Sequence, residues 1–466
     1  MENVNDNLLL EILTSGCDER VFISETTNAN KYHLNPIKFD KLLHRGSCTC
    51  GTLTTDAYKV GQEFLKNYGD SKYESILKNQ TLRLKAMLIY KSMDFDVFYG
   101  PSGSDLMYLP LLFQYIIDPN KKIINIVSCP EELGSGSKAA AEGLYFSEWS
   151  QYGKPLPIGK NVSEKINSEV FYLPARNENG NIVDRNQAIR DLINKFPNEL
   201  IIGNLVFGSK SGIKDDLAII DEFKEGIMWV VDMCQFRTDR KLIYELISKG
   251  AMISITGSKF YQAPPFCGAL LVPKYWSEKI KDKDASILET YNSLFTSYDY
   301  PLEFEKMRKN LPEFKNIGLR LRWEIALCEM ESFLAFPQEK SNALIRRWNQ
   351  VVIGRLAQSD LFRLMPDIEL TNDSIISFMV IKNGVALNNK ELKILFDYLV
   401  LNEHEGIENF THVFLGQPVQ YGEKSFIRLA IGSFSIRKQL MNNQFNPKSD
   451  IAFIQVIENA VKKLFP

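Results

Sequence analysis

The chain has 466 residues, a formal net charge of −2, 45% hydrophobic residues and 24% charged ones. That balance is ordinary for a globular chain of two or more domains, or of one large α/β domain with a smaller partner, and it holds no basic excess pointing to nucleic acid or an anionic membrane. Seven scattered cysteines do not read as a disulfide framework, and four histidines (33, 44, 404 and 412) offer no metal cage. The cluster His44-x3-Cys48-x-Cys50 lacks both a fourth ligand and the usual zinc spacing, so no metal site is expected.

Residues 1–7 are acidic and polar, unlike a signal peptide. The apolar run 106–117 is too short to cross a bilayer and is interrupted by Pro110 and Gln114. The expectation is a cytoplasmic protein with no membrane partner. From about residue 95 to 275, apolar runs alternate with helical stretches: 96–99, 122–127, 169–173, 200–207, 228–232, 251–255 and 268–272, with helices expected over 186–196 and 215–224. Continuous rather than alternating apolar runs mark strands buried on both faces of a parallel sheet. The fold class is therefore α/β, a mostly parallel doubly wound sheet. A long helix over 316–336, an apolar run at 375–381, a helix over 389–400, a strand at 426–431 and a helix over 450–465 predict a smaller C-terminal α+β domain. The expected division is an N-terminal arm with the first helices (1–60), a large domain (61–310) and a small domain (311–466).

Three segments carry chemistry, and all fall at carboxyl ends of predicted strands, where doubly wound sheets bind ligands. Gly100-Pro-Ser102-Gly103-Ser104 follows the first strand and opens a helix; small residues and free N–H groups there suit a phosphate, although a plain capped turn has the same composition. The run Met228-Trp-Val-Val-Asp232 ends on a carboxylate, with Gln235 three residues on. The run 251–255 leads into Thr256-Gly-Ser258-Lys259, a lysine in a small-residue turn. A lysine and an aspartate on neighbouring strand ends are what pyridoxal 5′-phosphate (PLP) requires. The lysine forms a Schiff base with it, and the aspartate keeps the pyridine nitrogen protonated.

These motifs, in this order, resemble fold-type-I PLP enzymes, most closely the class V aminotransferase and cysteine desulfurase superfamily, over roughly residues 80–440. The resemblance implies PLP as cofactor, an amino acid as small-molecule substrate and a homodimer with a shared active site. It implies Lys259 as Schiff-base lysine and proton shuttle, Asp232 at the pyridine nitrogen, and Gln235 and Ser209 near the phenolic oxygen. Ser102, Gly103, Ser104, Thr256 and Ser258 would hold the phosphate. Arg428, in Ser425-Phe-Ile-Arg428, matches the arginine that grips the substrate α-carboxylate; an ordinary salt-bridge residue is the alternative. The segment 22–36 resembles an arm laid over the active site, and Thr296 and Ser297 resemble residues that reach the partner's phosphate. Where a desulfurase branch carries its catalytic cysteine, this chain has Leu415, before Gly416-Gln417-Pro418. Glu131 or Glu132 stands where a ring-stacking residue is expected. The leading expectation is an aminotransferase working through a lysine aldimine and a quinonoid. The alternatives are a C–S lyase without a catalytic cysteine and a catalytically silent binding subunit.

Overall fold

A computed structural model describes residues 5–46, 51–88, 91, 94–237, 239–365 and 373–466. Thirteen strands are found among them: β1 (Leu42–Arg45), β2 (Phe95–Gly100), β3 (Ile123–Ser128), β4 (Ser168–Leu173), β5 (Leu200–Val206), β6 (Ile227–Asp232), β7 (Met252–Thr256), β8 (Gly268–Pro273), β9 (Phe362–Leu364), β10 (Ile375–Lys382), β11 (Val385–Ala386), β12 (His412–Tyr421) and β13 (Lys424–Ala430).

The large sheet has the order β2-β8-β7-β6-β5-β3-β4. Strands β4, β3, β5, β6 and β7 are parallel, and β8 runs antiparallel between β7 and β2. Side-chain alternation sends Ile124, Ile126, Ile201, Trp229, Val231 and Ile253 into one core and Ile123, Val127, Ile202, Met228, Val230 and Met252 into another. Both faces are dry, which is why these segments read as unbroken apolar runs. All seven predicted strands are present. The helix Tyr108–Ile117 is buried nearly all round in the second core, so its apolarity is that of an interior helix.

The predicted helix at 215–224 is reduced to Ile219–Glu222. Asp215 is the reason. Its buried carboxylate accepts from the amide of Val206 (2.8 Å), Ser128 Oγ (2.9 Å) and Arg185 Nε (2.7 Å), which holds the residue in a brace across three segments. Sequence periodicity registers no such long-range partner.

The smaller sheet has the order β1-β12-β13-β10-β11, with β9 on β10. It is antiparallel except for β1, which pairs parallel with β12. A four-residue strand from the N-terminal region thus completes the C-terminal sheet; too short and mixed a pattern to predict, it exists through its pairing. His44 of β1 stacks on Phe414 with ring centroids 5.2 Å apart, while Cys48 and Cys50 lie outside the described residues. No helix among the described residues is long and apolar enough to cross a membrane.

The long helix Ile317–Leu334 joins the layers. Its Arg322 is fully buried and donates to the carbonyls of Phe266 (2.7 Å), Leu13 (2.8 Å), Ser15 (2.7 Å) and Gly16 (3.2 Å). One guanidinium therefore ties the N-terminal turn to the segment that follows Lys259. Replacing Arg322 by Met orphans these carbonyls at a cost of roughly 3 kcal/mol. A lower Tm and faster proteolysis near residues 13–20 are expected; an unchanged cleavage rate would contradict the clamp.

Candidate active site

Strand register places the three chemical segments side by side. Asp232 pairs with Ser254, Thr256 with Gly268, and Gly268 with Gly100, so the ends of β6, β7 and β2 share one edge of the sheet. The contacts are close. A Cβ on Gly103 would lie 2.8 Å from Cys234 Sγ and 3.3 Å from Thr256 Cγ2, and one on Gly268 would lie 2.8 Å from the Ser102 carbonyl. Glycine at both positions lets the Gly100–Ser104 loop settle onto the lysine segment.

Cys234 is the hub of this corner. Its amide donates to Asp232 Oδ1 (2.8 Å), its carbonyl accepts from Thr256 Oγ1 (2.7 Å), and its thiol touches the loop at Gly103. Burial, then the Asp232 carboxylate, pushes the thiol well above its ordinary range, although Lys259 acts in the opposite direction. The thiol is a packing group and not an activated nucleophile.

Lys259 sits half-buried just beyond β7, and its amine makes no hydrogen bond or ion pair with the described residues. The Ser258 hydroxyl beside it is buried without a hydrogen-bond partner. In the Gly100–Ser104 loop, the amides of Gly103 and Ser104 donate to none of the described residues. The Ser102 amide and hydroxyl, by contrast, both point at Asp105 Oδ2, at 2.8 and 2.6 Å. Ser104 Oγ meets Ser137 Oγ at 3.1 Å. Gln235 is buried and accepts from Arg237 Nε (3.1 Å), whose Nη1 reaches Ser374 Oγ (2.7 Å) and the Ile431 carbonyl (2.9 Å) across to the small sheet. The edge thus collects Lys259, Asp232, Gln235, Thr256, Ser258, Ser102, Gly103 and Ser104.

Ser209 and Arg428 lie further along. Ser209 Oγ and Ser211 Oγ (2.7 Å) donate to the buried Glu132 carboxylate. Glu131 accepts from the amides of Ala175 (2.6 Å) and Arg176 (3.2 Å). Both glutamates at the expected stacking position are therefore occupied as hydrogen-bond acceptors. Arg428 is buried, and its Nη1 and Nη2 donate to the carbonyls of Lys210 and Gln417, both at 2.8 Å, bracing the 208–212 loop against the small sheet. Thr296 and Ser297 are buried, and the Thr296 hydroxyl caps the amide of Tyr298 (3.0 Å).

Arg20 escaped the sequence reading. It lies 6% exposed, paired with Asp18 at 2.6 Å, with Nη2 3.0 Å from Ser102 Oγ and its guanidinium 4.2 Å from the Phe266 ring. The N-terminal arm thus touches the small-residue loop through a side chain just ahead of the predicted 22–36 segment. The only sequence signal was a charged triplet, Asp18-Glu-Arg20, in an otherwise uncharged stretch.

No protein-family model matches the chain, and no curated protein matches it in sequence. Solved structures do. The tryptophan decarboxylase of Catharanthus roseus, crystallised with L-tryptophan, aligns over 90% of this chain and 82% of its own at 13% identity and a TM-score of 0.55. A cysteine desulfurase from Escherichia coli aligns over 90% and 94% at 14% identity and a TM-score of 0.56. A phosphoserine aminotransferase from Cytophaga hutchinsonii aligns over 92% and 99% at 13% identity and a TM-score of 0.51. The chain has the fold of these proteins, the fold-type-I architecture expected from its motifs.

Asp105 gives a pH test of the loop. Burial pushes its carboxyl up to about 7 from an ordinary value of 3.8, opposed by the Ser102 hydrogen bonds. The folded chain then holds a proton that the unfolded chain has lost, so this group's contribution to stability is fullest below about pH 4 and is lost as pH rises through about 7. The Tm of the parent minus that of Asp105→Asn should fall across this interval and level off above it. A difference independent of pH would mean that Asp105 is ionised throughout.

Proposed function

We propose that the chain is a PLP-dependent enzyme acting on the α-amino group of an amino acid, as an aminotransferase. The carrying observation is Lys259, half-buried and with no hydrogen-bond or ion-pair partner among the described residues, in the turn just beyond the strand that neighbours Asp232. The residues around it fit PLP. The unspent amides of Gly103 and Ser104 and the orphaned Ser258 hydroxyl form a cradle for its phosphate, and Thr256, committed to the Cys234 carbonyl, is a strut of that cradle. Asp232 would hold a proton at the ring nitrogen by opposite charge. Gln235, oriented by Arg237, would face the phenolic oxygen. When bound, PLP supplies an electron sink for charge developing at the substrate α-carbon.

Lys259 would have two tasks: to hold the cofactor covalently and to move a proton at the substrate α-carbon. A lysine does this when its amine is close, mobile and partly desolvated. Asp232 has one task, and its own geometry supports it: Oδ1 is oriented by the Cys234 amide, so the carboxylate cannot swing away. Ser209, committed to Glu132, positions that carboxylate, and Arg428 fixes the loop that carries Ser209.

The fold neighbours are named for decarboxylation, desulfuration and transamination, so the fold does not choose the reaction. Among the described residues, sulfur transfer by a buried protein thiol is disfavoured. Leu415 is buried at the expected thiol position, and Cys17, Cys129, Cys234 and Cys267 are buried with thiols pushed up chiefly by burial. C–S elimination would use the same lysine and aspartate and differs in its products.

The test is a panel of amino acids offered to PLP-loaded protein with a 2-oxo acid acceptor. The expected products are the keto acid of the donor and the amino acid of the acceptor; released sulfide or ammonia would mark elimination instead. Asp232→Asn should retain PLP but lose on the order of 10²–10³ in turnover, the usual scale for removing one charge-stabilising group. A fully active variant would refute the assignment of Asp232.

A further inference from the structure

The loop that follows β2 lacks a donor where its composition supplies one. The Ser102 amide and hydroxyl both donate to Asp105 Oδ2, at 2.8 and 2.6 Å, and the hydroxyl oxygen accepts from Arg20 Nη2 at 3.0 Å. Ser102 is thus fully committed inside the protein. The next two amides, of Gly103 and Ser104, donate to none of the described residues. A phosphate resting on them would find its first serine already occupied.

Arg20 stands beside this gap, and its guanidinium is held in place by the protein itself. Nε and Nη2 grip the Asp18 carboxylate at 2.7 and 2.6 Å. The rings of Phe266 and Phe146 lie 4.2 and 5.3 Å from its central carbon. The chain just ahead of it is anchored too, because Arg322 holds the carbonyls of Leu13, Ser15 and Gly16.

The shape of a guanidinium decides which donor remains. Its five N–H groups lie in one fixed plane. One edge, Nε with the nearer hydrogen of Nη2, is taken by Asp18. The other edge sets the second hydrogen of Nη2 parallel to a hydrogen of Nη1. Nη2 uses its side of that edge on Ser102 Oγ, while Nη1 donates to none of the described residues. The open prong therefore runs alongside the bond to Ser102, one residue from the free amides. Pairing with Asp18 offsets much of the charge of Arg20 but leaves this N–H aimed, and a charge-assisted bond to an oxyanion is among the stronger hydrogen bonds. Asp105 is the carboxylate that opposes an anion here; burial pushes it up to about 7, so a proton on it removes that opposition.

We propose that Arg20 is a cofactor-binding residue: its Nη1 donates to the phosphate of PLP held on the Gly103 and Ser104 amides, in place of Ser102, so that the N-terminal arm forms one wall of the cofactor site. This rests on the reading that the chain binds PLP.

The experiment has two arms. In the first, PLP-free protein is titrated with PLP and with pyridoxal, which has the same aldehyde and no phosphate, following absorbance. Arg20→Gln should weaken PLP about ten-fold or more, the scale of one hydrogen bond to a charged group, and leave pyridoxal within about two-fold. Arg20→Lys should recover part of the loss. Equal losses for the two aldehydes would make Arg20 a structural residue and overturn the proposal. So would a variant that keeps its PLP affinity and loses only its response to an amino acid. In the second arm, amide hydrogen exchange of the PLP-free parent is followed over residues 16–22 as inorganic phosphate is added, against sodium chloride of equal ionic strength. Phosphate should slow exchange there. This arm needs no variant and decides if Arg20→Gln does not fold; exchange that phosphate leaves unchanged would overturn the proposal. Phosphate protection in a parent that takes up neither aldehyde would leave the anion site standing and remove the cofactor reading. PLP bound at Lys259 with equal affinity in parent and Arg20→Gln would do the reverse.

Discussion

The lateral pairing of β6 and β7 is the constraint on which the rest depends. Because Asp232 is in register with Ser254, a carboxylate at one strand end and a lysine in the turn that follows the neighbouring strand are delivered to the same corner. A slip of one residue would turn Asp232 into a core and every alternate side chain with it. Close packing of these particular side chains in the two cores opposes that slip, so core packing sets the geometry of the polar corner. Cys234 then locks it, through an amide to Asp232, a carbonyl to Thr256 and a thiol against Gly103. Larger side chains at Gly103 or Gly268 would force the loop and the strand apart.

The same edge extends beyond that corner. Polar groups continue from β6 through β5 and β3 to β4, with Ser209 meeting Glu132 and Glu131 meeting the Arg176 amide. The small sheet closes over this end through Arg428 and Tyr421, and the N-terminal arm closes the other through Arg20 and the Arg322 clamp. Residues distant in sequence thus cover an edge whose floor comes from one contiguous α/β unit.

How much could be read in the sequence follows from where each signal resides. The seven strands of the large sheet were legible because burial on both faces writes itself as unbroken apolar runs, and their carboxyl-end residues followed from chain order. What could not be read depended on partners far along the chain. The shortened helix at 219–222 reflects the bonds of Asp215 to Ser128, Val206 and Arg185. Strand β1 exists only because β12 pairs with it. Arg20 is a single arginine in an ordinary stretch, and only folding reveals that it abuts Ser102. Arg428 shows the converse: a segment resemblance selected the residue, while the structure gives two of its nitrogens to main-chain carbonyls.

The central claim is that Lys259 is the residue that binds the cofactor, and its most direct measurement is chemical. Protein saturated with PLP is reduced with borohydride, digested and mapped by mass spectrometry. The account predicts a pyridoxyl group on the peptide containing Lys259, and none after Lys259→Ala. A modification on another lysine, or no modification at saturating PLP, would contradict it.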